Sequence, residues 1–347
     1  MSNVDLVRKA ANMRRHEFRI KIEKDGFVPP KFEYKKVKIK LGDIVSRGQC
    51  VDLYRPPALN RMYGRKNLCL KVFKEGVKYW GRNEIMGVSL ISESTMVQNL
   101  MAIRGLAPRV YDVIEVNGKL AQVTDFLEGK PTTNNITDDR FKFHIAEVTQ
   151  PHNQIDGKLV DFQGAVFRNF KEYKCQLLEK ANNSTQYPKG AGGLYQSTPY
   201  HGGKRNTNKR LELYEFHDFK NKVVLDVGCN LGMMCRAAFK NGAKRVVGFD
   251  WPDLVSVSRE LAISDGYFNL DFYGVDLRHM DWKKIVEMSG IDKYDIILFL
   301  AMEQSLGKPS WLSKCETLLF EGHGVKRPFF IRHKGRKILT KTICGVN

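Results

Sequence analysis

No stretch of this 347-residue chain approaches the roughly 18 consecutive apolar residues that a membrane-spanning helix needs. The opening "MSNVDLVRKAANMRRHEF" also lacks the apolar core of a secretory signal. Cysteine is sparse: seven residues, scattered and odd in number, with no CxxC that pairs with a second CxxC or an HxxxH. Neither a zinc site nor a disulfide framework is expected, and the thiols read as the reduced thiols of a cytoplasmic protein. Internal repeats are absent. Acid is the scarcer charge, with 38 Asp and Glu against 57 Lys and Arg, a net charge of +19. A field of that sign favours polyanionic partners such as nucleic acid, phosphorylated glycans or anionic lipid surfaces, and says nothing of fold.

What is present is length enough for two cores and two kinds of pattern. Residues 1–40 read as a basic arm, with one helix over Leu6 to Phe18 and extended chain at Pro29-Pro30. From Val37, "KVKIKLGDIVS", "GQCVDLYRP" and "NLCLKVF" cluster β-branched residues between Gly, Pro and Asn, which predicts three strands. "GVSLISESTMVQNLMAIRG" spaces Leu90, Met96, Val97, Leu100 and Met101 as a helix and stops at Gly105. "RVYDVIEV" and "KLAQVTDFLEG" follow as strands joined by Asn117-Gly118, a strong hairpin signal. The first half is thus expected to be a five-stranded antiparallel sheet with one helix inserted. "GKLVDFQGAVF" (157–167) reads as a further strand and turn, and 168–181 as a helix. A Gly/Ser/Asn/Pro-rich stretch without periodicity then precedes residue 221, where strands and helices begin to alternate. That alternation implies an α/β fold with a parallel sheet covered on both faces.

The segment "VVLDVGCNLGMMCRAAFKNGAKRVVGFD" (223–250) carries the chemistry. A strand ends in the turn Asp226-Val-Gly228-Cys-Asn230-Leu-Gly232, and a helix follows. A dinucleotide turn needs G-x-G-x-x-G, so that two backbone segments approach a pyrophosphate. Here the second of those glycines is missing, and an acid stands just before the turn. A carboxylate there repels phosphate and suits a ligand with an ammonium group and a ribose, namely S-adenosylmethionine. The second strand ends at Asp250, placed to accept both ribose hydroxyls. The third, "LDFYGVD", ends at Asp276, placed to accept from an adenine amino group.

On these residues, 195–347 resemble class I S-adenosylmethionine-dependent methyltransferases; Tyr294-Asp295 opening the fourth strand is also usual there. The resemblance implies a Rossmann-like seven-stranded sheet whose last two strands form an antiparallel hairpin. Only a few residues separate the fifth strand from that hairpin, so the usual intervening helix is missing. That face is left for the N-terminal half or a protein partner to cover. The acceptor site implied lies at the ends of strands four and five, where Glu303 and His323 are candidates for base or substrate contact beside Met302, Gln304 and Glu321. The chain lacks the Asn/Asp-Pro-Pro-Tyr of exocyclic-amine methylases and the proline-cysteine pair of cytosine C5 methylases. Oxygen, ring-nitrogen and protein-nitrogen acceptors stay open. Upstream, "YQSTPYHGGKRNTNKR" offers Lys204, Arg205, Lys209 and Arg210, of which Arg205 is favoured to pair with the cofactor carboxylate.

Residues 41–167 resemble the small lobe of protein-kinase-like and aminoglycoside-phosphotransferase-like folds, carried by "VSRGQCVDLYR", "LCLKVF" with Lys71, Glu93 on the helix, and "KLVDFQGAVF" with Asp161. The resemblance implies that Lys71 pairs with Glu93 and nucleotide phosphates, and that Asp161 holds magnesium. The glycine-rich loop keeps one glycine, Gly48, and no His-Arg-Asp occurs, so a non-phosphorylating lobe is expected. A β-rich domain with Lys71 and Glu93 as surface charges is the plainer alternative. The domains expected are a basic arm (1–40), the kinase-like lobe (41–170), a linker helix and basic loop (171–220) and the methyltransferase domain (221–347). Three functions follow. One is a methyltransferase acting on nucleic acid. Another is a bifunctional kinase-like methyltransferase acting on a phosphorylated glycan or small molecule. The last is a non-catalytic binding protein of a large assembly.

Overall fold

The computed structural model describes residues 34–48, 50–76, 88–129, 143–144, 154–162, 165–167, 170–183, 196, 207–214, 218–322 and 326–344. They fall into two compact units, Phe27–Lys174 with Ile263–Asn269, and Cys175–Ala262 with Leu270–Asn347. Among the described residues no helix is long and apolar enough to cross a membrane.

The first unit is built on a six-stranded sheet of β1 (Lys35–Val37), β2 (Ile44–Arg47), β3 (Val51–Tyr54), β4 (Leu68–Phe73), β5 (Val110–Val116) and β6 (Lys119–Asp125). The strand order is β1-β5-β6-β4-β3-β2. This corrects the five-stranded antiparallel expectation. The segment 36–46 does not form one strand, because Gly42 takes φ 75 and breaks the extended run. Its two pieces join opposite edges of the sheet, and β1 runs parallel to β5. Asn117 and Gly118 both take positive φ, 52 and 81, the geometry a tight hairpin turn requires, and Val116 pairs with Lys119.

The helix Val88–Ala102 is buried on nearly every side, including its polar residues. Asn99 explains how that is tolerated. Its amide donates to the Val110 carbonyl and accepts from the Val110 N–H, each at 2.9 Å, completing the end of β5. The stretch 157–167, expected as one strand and turn, is divided between two small ladders. Gln154–Ile155 (β8) pairs with Lys158–Leu159 (β9), while Val166–Phe167 (β10) pairs with Phe143–His144 (β7).

The second unit carries a seven-stranded sheet: β11 (Val223–Val227), β12 (Arg245–Asp250), β13 (Leu270–Gly274), β14 (Tyr294–Leu300), β15 (Cys315–Glu321), β16 (Lys326–His333) and β17 (Arg336–Cys344). Their order is β13-β12-β11-β14-β15-β16-β17. The first five run parallel and are near-continuous apolar runs, as strands covered on both faces must be. Only residues 322–325 separate β15 from β16. A parallel crossover needs about a dozen residues, so β16 has to return antiparallel beside β15, with Glu321 opposite Phe329. One layer of the core packs Leu225, Val247, Tyr294, Phe299 and Phe320 with Ile285 and Trp311. It leaves the carboxyl ends of five parallel strands gathered at one edge.

Candidate active site

The turn after β11 is shaped by two glycines that no other residue replaces without strain. Gly228 has φ 75, and a Cβ built there would lie 2.2 Å from Met302 Sδ. Gly232 has φ 73 at the start of the helix Met233–Lys240, and its Cβ would lie 2.7 Å from the Phe272 ring. The turn is tied to the tip of β12 by Asp250. Its Oδ2 accepts from the Asn230 N–H at 2.6 Å and its Oδ1 from the Trp251 N–H at 2.7 Å. Asn230 is itself left-handed, at φ 51, which an Asn tolerates better than most residues. Ser258 Oγ donates to the Asn230 carbonyl at 2.5 Å and holds the turn from the other side.

The three acids at the strand tips differ in their surroundings. Asp226 and Asp250 are 2% and 5% exposed. Burial pushes the Asp226 carboxyl up to about 7; the Cys235 thiol, donating at 3.2 Å, opposes this, the Asp250 charge adds to it, and Arg210 pulls it back. Burial likewise lifts Asp250 to about 6, against the pull of its two backbone donors. Asp276 lies on the open side. Its hydrogen bonds from Arg278, Nε at 3.0 Å and Nη2 at 2.8 Å, hold it near 2. The same carboxylate accepts from the Arg278 N–H, and the guanidinium sits 5.2 Å from the Trp251 ring centroid.

At the ends of β14 and β15, Ala301 takes φ 60, an unfavourable region for a residue with a Cβ, while its N–H donates to the Glu321 carbonyl at 2.8 Å. That bend sets Met302 over Gly228 and starts the short helix Glu303–Leu306. Glu303 is partly exposed and meets Lys308 Nζ at 2.8 Å. Glu321 is buried and pairs with Arg210 through both oxygens, at 2.9 Å to Nε and 3.1 Å to Nη2.

Asp226, Gly228, Asn230, Gly232 and Asp250 therefore come together as one cluster, with Asp276 at the next strand tip and Glu303 across the mouth at Met302. Arg205 and His323 lie outside the described residues. Two side chains escaped the sequence reading. Arg210 belonged to the basic run from which Arg205 was favoured, and nothing in the polar helix Thr207–Tyr214 marks which of its cations is buried. Gln196, in the aperiodic stretch, donates to the Cys229 carbonyl at 3.2 Å and accepts from the Met233 N–H at 3.3 Å, capping the turn and helix at once. In the other unit, Lys71 is half-buried rather than a surface charge. Its ammonium donates to the Val160 carbonyl at 2.7 Å, and burial lowers its pKa while Asp161 opposes that shift. Glu93 lies half-buried on the helix Val88–Ala102. No group of three or more His, Cys, Asp or Glu among the described residues is placed to hold a metal ion.

No protein-family model matches the chain. Over 49 residues it is 43% identical to Protein arginine N-methyltransferase 1 of Saccharomyces cerevisiae, covering 14% of each chain. Over 96 residues it is 36% identical to Protein arginine N-methyltransferase 1 of Caenorhabditis elegans, covering 27% of this chain and 26% of that one. The chain thus spans about a quarter or less of the curated relatives it matches. Among solved structures, the bifunctional kinase-methyltransferase WbdD aligns with a TM-score of 0.32 at 18% identity, over 42% of this chain and 35% of that one. The chain resembles S-adenosylmethionine-dependent methyltransferases. It does so in stretches of sequence as well as in the motif at the methyltransferase-like turn.

Proposed function

We propose that the second unit transfers a methyl group from S-adenosylmethionine to a nucleic-acid acceptor. The observation that carries this reading is the acidity of the cleft. Two buried carboxyls, Asp226 and Asp250, line the glycine turn, and a third acid stands at the next strand tip. Such a donor set repels a pyrophosphate and attracts a ligand bearing a sulfonium and an ammonium, so the residues present fit the cofactor. Local identity to methyltransferases supports the same class of chemistry. Those relatives are named for protein arginine, whereas the charge of this chain favours a polyanionic acceptor.

In this reading Asp250 uses the lone pairs its two amide partners leave over to accept the ribose hydroxyls, and Asp276, held by Arg278, takes the adenine edge. Asp226 sets the charge of the turn, Gly228 and Gly232 bring backbone close to the ligand, and Arg205 is assigned to its carboxylate. When bound, S-adenosylmethionine supplies an activated methyl group whose leaving group needs no help. The chain's own residues then chiefly orient the acceptor and exclude water, which is worth several powers of ten in rate. A base matters only where the acceptor atom carries a proton. Glu303, at the mouth and paired with Lys308 at 2.8 Å, is assigned that role, with His323 as the second candidate.

Calorimetry with S-adenosylmethionine tests the cofactor half: the Asp250→Ala variant is expected to lose at least 100-fold in affinity, about 2.7 kcal/mol, with the fold intact by circular dichroism. Unchanged affinity removes the ribose role. Transfer of radiolabelled methyl groups into fractionated RNA, DNA, protein and glycan tests the acceptor.

A second reading rests on the other unit. Lys71, half-buried with Asp161 acting on it, supports a reading in which a kinase-like lobe (41–170) precedes the methyltransferase domain (221–347) in a bifunctional enzyme acting on a phosphorylated glycan or small molecule. Phosphotransfer from ATP that is lost in Lys71→Ala is its test.

A further inference from the structure

The hairpin β16–β17 stands where a crossover helix is missing, and its chemistry is unlike the rest of the sheet. From Gly322 to the end of the sequence there is no acidic residue, while 326–341 hold seven Lys and Arg. Lys334, Arg336, Lys337 and Thr340 are exposed, as is Ile338 at 59%. No ion pair joins Arg336 or Lys337 to a described carboxylate. Beside them, Lys308 bonds to Glu303 at 2.8 Å in the site itself.

These groups line up. Phe299, Phe320 and Phe330, on β14, β15 and β16, stack in succession with centroids 5.8 Å and 4.7 Å apart and interplanar angles of 21° and 12°. Lys308 lies 5.6 Å from the Phe320 centroid, and Lys337 lies 4.9 Å from the half-buried Phe330. Arg332 continues the row, anchored on the Leu312 carbonyl at 2.9 Å. A strip therefore runs from Glu303 over Lys308 and Phe330 to Lys337, with Arg336 next to it at the tip of the hairpin, opposite His333.

We propose that this strip seats a single-stranded nucleic acid and feeds it to the mouth at Glu303. The proposal rests on the methyltransferase reading for the identity of that mouth, and deepens it by naming the form of the acceptor. Cations spaced along a strand neutralise successive phosphates, and a half-buried ring beside them offers a face for an unpaired base. A basic strip whose one acid is at its mouth disfavours an arginine-rich protein tail on charge alone. β16 is bonded to β15 over Phe329–His333, so the hairpin is the edge of a seven-stranded sheet and not the isolated two-stranded ribbon that enters a duplex major groove.

The test is fluorescence anisotropy of the full chain with labelled 20-residue oligonucleotides, single-stranded and duplex, across a salt series, together with calorimetry of S-adenosylmethionine on the same samples. The expected result is preferential binding of the single strand. In the double variant Arg336→Glu/Lys337→Glu, strand affinity falls at least tenfold and the slope of log K against log salt drops by about 1.4, two phosphate contacts' worth. Cofactor affinity stays unchanged. Equal binding of duplex, tighter binding of heparin or of an acidic peptide, or an unaltered salt slope in the variant overturns the proposal. Strand binding that survives in a chain unable to hold S-adenosylmethionine overturns the methyltransferase reading and leaves the strip standing.

Discussion

The two units treat a buried charge in opposite ways. In the six-stranded unit, Lys71 leaves β4 and spends its ammonium on the Val160 carbonyl, with Asp161 close enough to act on it. The charge is answered from within the chain. In the seven-stranded unit, Asp226 and Asp250 accept hydrogen bonds from neutral donors, a thiol and two backbone amides, and the Asp250 charge makes Asp226 harder to ionise. That cleft keeps a negative character that Arg210 only partly offsets, which suits a cationic ligand. On the proposed reading, the difference separates a charge used to hold a fold from charges kept for a ligand.

The largest expected effect comes from importing into the cleft the self-sufficiency of Lys71. Arg210 and Glu321 form a buried ion pair at the mouth, and Arg210 also pulls Asp226 toward ionisation. Arg210→Ala removes the charged partner seen for a buried carboxylate and is expected to cost roughly 3–5 kcal/mol by urea denaturation. Arg210→Met/Glu321→Leu, which removes both charges, is expected to recover most of it. If the single and double variants are equally destabilised, the loss lies in packing and not in the unpaired charge.

A smaller effect, of a few kcal/mol, follows from pH. Asp226 and Asp250 titrate near 7 and 6 in the folded chain, above the ordinary value of 3.8. The native state then binds more protons than the unfolded one between about pH 4 and 7, so these two groups make the ligand-free protein less stable as pH rises through that window. Asp226→Asn removes one of them. Its stability advantage over wild type is expected to be widest at pH 8 and to shrink toward pH 5 in thermal melts. Cofactor affinity runs the other way, rising from pH 5 to 8 as the carboxyls ionise. A pH-independent gap between the two proteins would mean that Asp226 is already ionised when buried.

Lys71 sharpens the contrast from the other side. Lys71→Met keeps the aliphatic stem and removes the ammonium, leaving the Val160 carbonyl without that donor. A loss of about 1–2 kcal/mol is expected, with S-adenosylmethionine affinity unchanged in calorimetry. A stabilised variant would put the lysine among groups retained for a ligand and not for the fold, and would favour nucleotide binding in that unit.

The glycine turn was more legible in the sequence than the side chains packed around it. Asp226, Gly228, Gly232, Asp250 and Asp276 are local: each ends a strand or sits in the turn beside it, and the strands are apolar runs that announce themselves. Arg210 and Gln196 reach the cleft from a polar helix and an aperiodic stretch. Their burial depends on tertiary placement that no period encodes. The split of 36–46 between opposite edges of a sheet was hidden for the same reason. A glycine marks the break, but which neighbour each half finds is a long-range choice. The missing crossover helix, by contrast, was a matter of counting residues between two strands, and its consequence is the antiparallel return of β16.

The smallest effect tests whether the bend at Ala301 is maintained for the site. Ala301 holds φ 60 between β14 and the helix Glu303–Leu306, where a Cβ is disfavoured by about 1–2 kcal/mol. Glycine adopts that conformation freely but gains more freedom when unfolded, so Ala301→Gly is expected to stabilise by only about 0.5–1 kcal/mol. The bend aims Met302 at Gly228 and Glu303 at the acceptor side, and a looser hinge lets both wander. Methyl transfer is therefore expected to fall severalfold in Ala301→Gly while its melting temperature rises. A variant that gains stability with turnover intact would make the strained alanine a structural accident and Glu303 a bystander at the mouth.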